Sequence, residues 1–338
     1  MKQVQLGQSG LRVSTLCLGT MTFGDNPDGF MAGVAADEAQ SLKVMHAALD
    51  AGINFWDTAD IYGNGLSEQI VGRALKDRRG GVVLATKCGF SMGPTANDRG
   101  MSRRHILAAA EASLRRLGTD YVDLYQVHFE DRTVPPMETL EALDQLVRDG
   151  KVRYLGASNY TAYGLTKAVM LQQRHNLARF ISLQPHYNLL VRDVERELLC
   201  VCRGEGLGII PWSPLASGFL SGKYKRGQQP PRDTRLSSWS EIYGKYGNDR
   251  GFGIVDAVAK VAAAHHATPA QVALAWVMAQ PGVTSPIIGA RTLAQLQDNL
   301  GALKVTLSAQ DLAALDAASA LPDHYPADFL RSNVDSAE

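Results

Sequence analysis

Four side chains able to exchange protons stand at the ends of three successive apolar segments of this chain. One apolar run stops at Asp57, and Tyr62 follows five positions later in a Gly-Asn turn. A second run ends in Lys87, and a third ends in His128. Short apolar runs of this kind are typical of buried strands. We therefore expect a carboxylate, a phenol, an amine and an imidazole to meet at one edge of a sheet.

The predicted chemistry of this set is the donation of a proton to oxygen. A phenol with a pKa of about 10 keeps its proton at neutral pH, and a nearby ammonium lowers that pKa. Lys87 is the lysine that follows Tyr62 most closely at a strand end, and Asp57 is placed to neutralise it. His128 could align the same oxygen. The set predicts an acid that protonates an oxygen as it becomes an alkoxide.

Each of these residues also has an ordinary structural interpretation. Tyr62 could be a turn aromatic, Asp57 a cap and Lys87 a surface lysine. His128 could bond a backbone carbonyl. Their joint position at successive strand ends favours a site. No activated serine or cysteine and no metal-ligand cluster competes with this interpretation.

Two further clusters of reactive side chains are better explained as structure. Cys200 and Cys202 fall in a predicted helix, where positions i and i+2 do not share a face. Buried structural thiols are therefore expected there rather than a metal site. His265 and His266 close an alanine-rich helix, which predicts a solvated helix end.

Composition narrows the class of protein and its partners. The chain has 338 residues, a net charge of zero and interspersed charges, which argues against nucleic acid or an anionic membrane as a partner. The first thirty residues show no signal-peptide pattern, and no apolar run approaches the ~20 residues of a membrane span. Four cysteines without framework spacing suit a reducing compartment. These features predict a cytoplasmic protein and leave its oligomeric state open.

Apolar strands and amphipathic helices alternate along the chain. Strands are expected near residues 16–20, 53–57, 82–86, 122–127, 153–157, 181–185, 208–212 and 285–288. Helices are expected near residues 37–50, 67–76, 102–117, 136–148, 161–174, 193–205, 253–264, 269–279, 292–300 and 309–318. Eight strand–helix units predict a (β/α)₈ TIM barrel, which typically takes ~250 residues.

The remaining residues have identifiable places in one predicted barrel domain over residues 1–338. Residues 1–13 look like an N-terminal hairpin, residues 218–250 are a long insertion after the seventh barrel strand, and residues 322–338 form a tail. A doubly wound sheet is the main alternative fold. It would normally show a G-x-G-x-x-G fingerprint after its first strand, and this chain lacks it.

The later strand ends carry side chains suited to holding a flat, charged molecule. Ser158, Asn159 and Gln184 could bond a carboxamide, and the indole of Trp212 could stack on a flat ring. Arg291 precedes a predicted helix start, which is a natural phosphate site. Core packing of Trp212 remains the structural alternative.

Taken together, the motifs of this chain resemble those of the aldo-keto reductase superfamily. They are the segment Gly52 to Tyr62 with Ser67-Glu68, Ala85-Thr86-Lys87, Asp123 to His128, Gly150 to Asn159, Trp212-Ser213-Pro214-Leu215, and Ile288 to Asn299. Within the superfamily, the chain is similar to bacterial reductases related to the β subunits of voltage-gated potassium channels. The resemblance covers nearly the whole chain.

The resemblance implies reduction of a small aldehyde or ketone by NADPH, bound extended and without a Rossmann domain. It makes Tyr62 the general acid, tuned by Lys87 and Asp57, with His128 orienting the carbonyl. Residues that it assigns to NADPH/NADP⁺ are Thr20, Met21, Asp57, Ser158, Asn159, Gln184, Trp212, Ser213, Pro214, Leu215, Ser217, Lys223, Gly289, Arg291, Gln295, Asp298 and Asn299, with Arg235 as a further candidate for the adenosine end.

The resemblance leaves the substrate and the functional class open at two points. Many relatives follow the catalytic histidine with Arg-Pro-Asp, whereas this chain has Phe129-Glu130-Asp131, which changes the expected substrate entrance. The aromatic residues Phe23, Trp56, Phe90 and Phe129 could wall a pocket. One alternative is a redox-sensing module with slow turnover, although channel subunits lack the histidine that matches His128. The other is a non-redox barrel enzyme, such as a phosphate-sugar isomerase.

Overall fold

The computed structural model describes residues 1–29, 31–232 and 234–333, and it contains an eight-stranded parallel barrel. The barrel strands are β3 (Cys17–Gly19), β4 (Phe55–Asp57), β5 (Val83–Cys88), β6 (Val122–Val127), β7 (Val152–Ser158), β8 (Phe180–Gln184), β9 (Gly208–Ile209) and β10 (Ile287–Ile288). β10 pairs with β3, and the Ile287 N–H donates to the Pro211 carbonyl beyond β9 at 2.8 Å. This bond joins the two ends of the sheet, and the predicted (β/α)₈ fold is confirmed.

An antiparallel hairpin closes the N-terminal end of the barrel. It consists of β1 (Gln3–Gln5) and β2 (Arg12–Ser14), as the sequence predicts for residues 1–13. Leu6 and Val13 are fully buried against the cluster that fills the barrel interior. The hairpin is therefore held by apolar burial, which removes its side chains from water.

Alternation along each strand decides which side chains enter the barrel. Phe55, Ala85 and Leu124 belong to the interior cluster, whereas Trp56 and Tyr125 pack in the layer between strands and helices. Because successive strand residues point to opposite faces, the inward series continues every second residue. It therefore continues to polar residues at the carboxyl ends of β4, β5 and β6.

Helices cover the outside of the barrel and most follow the predicted bounds. They are α1 (Glu38–Asp50), α2 (Leu66–Leu75), α3 (Arg103–Leu117), α4 (Pro136–Arg148), α5 (Ala162–Arg174), α6 (Leu198–Glu205), α7 (Arg235–Ser238), α8 (Ser240–Tyr246), α9 (Asp249–Ala264), α10 (Pro269–Ala279), α11 (Leu293–Gly301), α12 (Ala309–Ser319) and α13 (Ala327–Asn333). Side-chain caps define several of their starts. Ser308 with Asp311 forms a reciprocal capping box at α12.

The insertion and the tail contain more helix than their sequences predict. The insertion over residues 218–250 forms α7 and α8 and ends inside α9, and the tail contains α13. Short polar helices of this kind lack the long apolar period that sequence patterns detect. Residue 233 of the insertion and residues 334–338 of the tail lie outside the described residues. No helix in the described ranges combines the length and apolarity needed to cross a bilayer.

The cysteine pair Cys200 and Cys202 and the histidine pair at the end of α9 both have structural surroundings. Cys202 is buried as predicted, but Cys200 is exposed, because positions i and i+2 of α6 face different sides. His265 ends α9 and its Nε2 lies 2.9 Å from the Asp311 carboxylate, so it connects α9 to α12. Across the described residues, no group of His, Cys, Asp and Glu side chains is arranged to hold a metal ion.

Candidate functional site

The barrel mouth brings together the four side chains that the sequence places at strand ends. Asp57 ends β4, Lys87 lies near the end of β5, and His128 directly follows β6. Tyr62 begins a 3₁₀ turn in which Gly63 has a φ of 57°. Such a left-handed position suits glycine, and it turns the chain sharply enough to keep the phenol beside Lys87.

The ammonium of Lys87 is the centre of this cluster. Its Nζ lies 2.6 Å from Asp57 Oδ2 and 3.2 Å from the Tyr62 hydroxyl, and it donates to the Thr58 carbonyl at 2.8 Å. The Lys87 side chain is fully buried. A buried charge is tolerated when it is paired and hydrogen-bonded, as it is here.

Burial and charge act in opposite directions on these two groups. Burial disfavours the Lys87 ammonium, but Asp57 and Tyr62 outweigh that effect, so the pKa of Lys87 is raised. Burial raises the pKa of Tyr62 and Lys87 lowers it, with an upward net shift. Lys87 thus lowers the pKa of Tyr62 as predicted, but the rise in that pKa caused by desolvation of the phenol is larger. Tyr62 therefore holds its proton at neutral pH.

The imidazole of His128 is uncharged and aimed by packing. Burial and the nearby Lys87 hold the pKa of His128 well below its usual value of 6.5. The Phe90 ring contacts it edge-on, with ring centroids 4.7 Å apart and planes at 74°. Nδ1 of His128 is buried without a polar partner among the described residues. A buried N–H without an acceptor is costly, so the proton belongs on Nε2, which makes that nitrogen a donor.

The second oxygen of Asp57 is held by two amides, and one of them, from Gln126, was not among the predicted site residues. Asp57 Oδ1 accepts from Gln126 Nε2 at 3.0 Å and from Gln184 Nε2 at 2.9 Å. Gln126 stands two residues before His128, so strand alternation alone points it inward. That spacing is the signal that would have found it. The amide pair fixes the carboxylate that neutralises Lys87.

A cleft of 1090 Å³ opens above this cluster and extends over the ends of β7 to β10. All but one of the residues predicted to bind the cofactor line it. They are Met21, Asp57, Ser158, Asn159, Gln184, Trp212, Ser213, Pro214, Leu215, Ser217, Lys223, Gly289, Arg291, Gln295, Asp298 and Asn299. Their places along one cleft are thus defined, and their roles in binding stay predictions.

Thr20 is the exception among the predicted cofactor residues. It is fully buried, and its hydroxyl contacts the Ser67 hydroxyl at 2.9 Å and the Asp57 carbonyl at 3.1 Å. Gly19 lines the cleft, so alternation turns the next residue away from it and toward α2. Thr20 therefore connects the ends of β3 and β4 to α2 on the side away from the cleft.

Three positively charged side chains of the cleft lie close to one another. Lys223, Arg235 and Arg291 all line it. Burial and the two neighbouring arginines lower the pKa of Lys223, and burial and Arg291 lower the pKa of Arg235 to about 10. Cations crowded in this way lower one another's affinity for protons, and a bound anion relieves the repulsion.

Three polar side chains that line the same cleft already form hydrogen bonds within the protein. Gln295 Oε1 accepts from the Arg291 N–H at 2.8 Å. Thr292 therefore forms only half of a capping box: its hydroxyl accepts from the Gln295 N–H, whereas the Gln295 side chain accepts from Arg291. Asp298 accepts from Thr268 and from Gln271, and Asn299 donates to the Gly289 carbonyl. These bonds hold α11 against α10 and β10.

The aromatic residues proposed as pocket walls divide into two groups. Phe23 and Trp56 are fully buried in the layer between strands and helices, so they belong to the core. Phe90 lines the cleft and is 45% exposed, and Phe129 packs against it with ring centroids 5.2 Å apart. Only Phe90 of the four contributes directly to the cleft wall.

Comparison with known proteins agrees with the barrel and with the residues at its mouth. The model of the aldo/keto reductase family matches residues 15–320. The chain is 39% identical to the uncharacterized oxidoreductase YrpG of Bacillus subtilis, with 94% of this chain and 95% of that protein aligned. It is 35% identical to versiconal hemiacetal acetate reductase of Aspergillus parasiticus over 94% and 96% of the two chains. It is 38% identical to a probable voltage-gated potassium channel subunit beta of Arabidopsis thaliana over 90% and 92%.

These matches cover most of both chains in every case. The protein therefore belongs to the aldo/keto reductase family, and its relatives include both a bacterial oxidoreductase and channel β subunits, as the sequence motifs indicate. The fold and family support an oxidoreductase that acts on carbonyl groups.

Proposed function

We propose that this protein is an NADPH-dependent reductase that converts an aldehyde or ketone to the alcohol, with Tyr62 as general acid. The observation that carries the proposal is the position of the Lys87 ammonium, which lies 2.6 Å from Asp57 and 3.2 Å from the Tyr62 hydroxyl. This arrangement faces a cleft large enough for a dinucleotide and a small substrate.

The donor set of the cleft fits NADPH. Lys223, Arg235 and Arg291 supply positive charge for a pyrophosphate and a 2′-phosphate, which suit bidentate guanidinium groups. Ser158, Asn159 and Gln184 form a hydrogen-bonded group beside Trp212 and would hold a carboxamide. The bound cofactor would supply a hydride to the carbonyl carbon. The side chains at the barrel mouth would orient the carbonyl and supply the proton.

Proton delivery follows from the electrostatics of the cluster. As charge develops on the substrate oxygen, Tyr62 donates its proton to that oxygen, and the Lys87 ammonium stabilises the phenolate left behind. Nε2–H of His128 donates to the same oxygen and orients it. Asp57 keeps Lys87 charged throughout.

The experiment is the Tyr62→Phe variant. Removing the hydroxyl removes the acid but keeps the ring, so kcat should fall by at least about 100-fold. NADPH binding, measured by fluorescence titration, should change by less than about twofold, because the phosphate contacts are intact. Tyr163→Phe is the matched control, since Tyr163 is 74% exposed. Equal losses of turnover and NADPH affinity in Tyr62→Phe would refute the assigned role.

A binding module with slow turnover is the second candidate, because several relatives are named as channel β subunits. Steady-state oxidation of NADPH with a panel of carbonyl compounds separates the two. An enzyme turns over many times per bound cofactor, whereas a sensing module binds NADPH and scarcely consumes it. The uncharged His128 with a donating Nε2 favours the enzyme.

A further inference from the structure

The indole of Trp212 is covered on one face by the imidazole of His186. The two ring centroids are 3.9 Å apart and the planes differ by 12°. Both residues line the cleft. Because a stacked ring occupies the face that it contacts, only the opposite face of the indole is available to another flat molecule.

The backbone and one hydrogen bond hold this pair in place. The Trp212 N–H donates to the Pro185 carbonyl at 2.9 Å, and residues His186 and Trp212 form a parallel bridge beyond β8 and β9. Side chains at such paired positions lie next to each other. The indole Nε1 donates to Asn159 Oδ1 at 3.1 Å. The indole is thus fixed at its edge by Asn159 and on one face by His186.

Asn188 determines how the imidazole of His186 is oriented. Asn188 Oδ1 accepts from the Leu190 N–H at 2.8 Å, and its Nδ2 donates to the Ser213 carbonyl at 2.9 Å, which defines the orientation of the amide. That Nδ2 lies 3.2 Å from His186 Nε2. Since an amide nitrogen only donates, Nε2 of His186 accepts and the ring proton is on Nδ1.

The imidazole of His186 is also uncharged. Burial lowers its pKa to about 4, although Asp193 opposes the shift. A neutral ring leaves the π electrons of the indole free to attract a cation on the other face. The oxidised nicotinamide ring is such a cation. The hydroxyl of Tyr246, from α8 of the insertion, lies 3.4 Å from Nε2 and contacts the imidazole from the insertion side.

We propose that His186 is a positioning residue that holds the Trp212 indole in the plane against which the nicotinamide packs. The inference rests on the proposed function, because Trp212 meets a nicotinamide only if the chain binds that cofactor. His186 acts through Trp212. Its expected effect is therefore on the orientation of the reacting ring more than on the affinity for the cofactor, which the proposed function assigns to Lys223, Arg235 and Arg291.

The test compares His186→Ala, which removes the stacked ring, with His186→Phe, which keeps a flat ring of similar size. The first readout is acrylamide quenching of Trp212 emission without cofactor, obtained by subtracting the same variant carrying Trp212→Phe. His186→Ala should raise the quenching constant about twofold, because the second face of the indole opens. The second readout is single-turnover NADPH oxidation, which should slow about tenfold through misorientation. NADPH affinity should change by less than about threefold.

His186→Phe should restore both readouts to within about twofold of the wild type. His46→Ala, an exposed histidine on α1, is the control and should leave both unchanged. The inference is overturned if either readout is unaffected in His186→Ala, or if His186→Phe is no better. If His186→Ala does not fold, His186→Leu replaces it, because leucine fills space without a flat ring. If both readouts of His186→Leu then match those of His186→Phe, the inference is overturned. A wild type that oxidises no NADPH refutes the proposed function instead, while the quenching still tests the stack.

Discussion

At the scale of residues, the site depends on the buried ammonium of Lys87, which burial disfavours and its neighbours Asp57 and Tyr62 favour. In the proposed mechanism, Lys87 must stay charged to stabilise a phenolate at Tyr62, and burial works against that charge. The carboxylate of Asp57 overcomes the penalty, and two amides fix the carboxylate in turn. The cluster is therefore a set of mutually dependent groups, and removing one charge leaves the other uncompensated.

The first prediction concerns Asp57→Asn. This change leaves the Lys87 ammonium buried without its counter-ion, so the free energy of unfolding should fall by about 3 kcal/mol. Urea denaturation at pH 7 measures the loss. The double variant Asp57→Asn with Lys87→Met should recover part of it, because no buried charge remains. Losses that simply add in the double variant would contradict the account.

The pH dependence of this pair follows from the sign of the shift. The pKa of Lys87 is higher in the folded state than its ordinary value of 10.5. The stabilisation from the pair is therefore fully present below pH 10.5 and is lost as the pH rises through the folded-state pKa. In the wild type, this pair adds no pH dependence to stability between neutrality and that limit.

At the scale of elements, separate segments of the chain supply the positively charged side chains of the cleft. The loop after β10 carries Arg291, which donates to the Val34 carbonyl at 2.8 Å and thereby contacts the loop before α1. The insertion contributes Arg235 from the start of α7. A short helix and two loops must therefore meet to bring these cations together, so the proposed specificity for NADPH depends on their relative placement.

The second prediction is that Arg291→Ala separates the two nicotinamide cofactors. Losing a charge-assisted contact to the 2′-phosphate should weaken NADPH binding by about 10–100-fold and NADH binding by less than about threefold. Fluorescence titration with each cofactor gives both affinities. Arg104→Ala, at an exposed arginine of α3, is the control. An unaltered preference for NADPH would show that another residue recognises the phosphate.

At the scale of the whole molecule, the cleft connects segments that are far apart along the chain. Its lining extends from Gly19 to Asn299 and includes the insertion. A ligand that contacts all of these segments binds only the folded chain, so it stabilises the entire barrel. Crowding of Lys223, Arg235 and Arg291 adds repulsion that an anionic ligand removes.

The third prediction is a cofactor-dependent melting temperature. NADP⁺ at 100 times its dissociation constant should add about 2.7 kcal/mol to the stability of the folded state. Differential scanning fluorimetry should show a clear rise in Tm with NADP⁺. NAD⁺ at the same concentration should produce a smaller rise, because it lacks the 2′-phosphate. Equal shifts with both dinucleotides would contradict a preference based on these cations.

Much of this architecture was predictable because it depends on local patterns. Apolar runs ending in Asp57, Lys87 and His128 indicate strands and their polar ends, and eight such units indicate a closed barrel. The hairpin before β3 follows from its turn and its alternation. The extent of the single domain over residues 1–338 stays a prediction.

Other features depended on contacts between distant segments, which no local pattern contains. The net rise in the pKa of Tyr62 required the extent of its burial, and the inward position of Gln126 mattered only once Asp57 lay beside it. Thr20 faced α2 instead of the cleft through strand alternation. The stack of His186 on Trp212 joins the ends of two strands. Sequence alone thus determined which residue types reach the barrel mouth, and tertiary structure decided their charges, partners and accessible faces, because desolvation and stacking depend on three-dimensional neighbours.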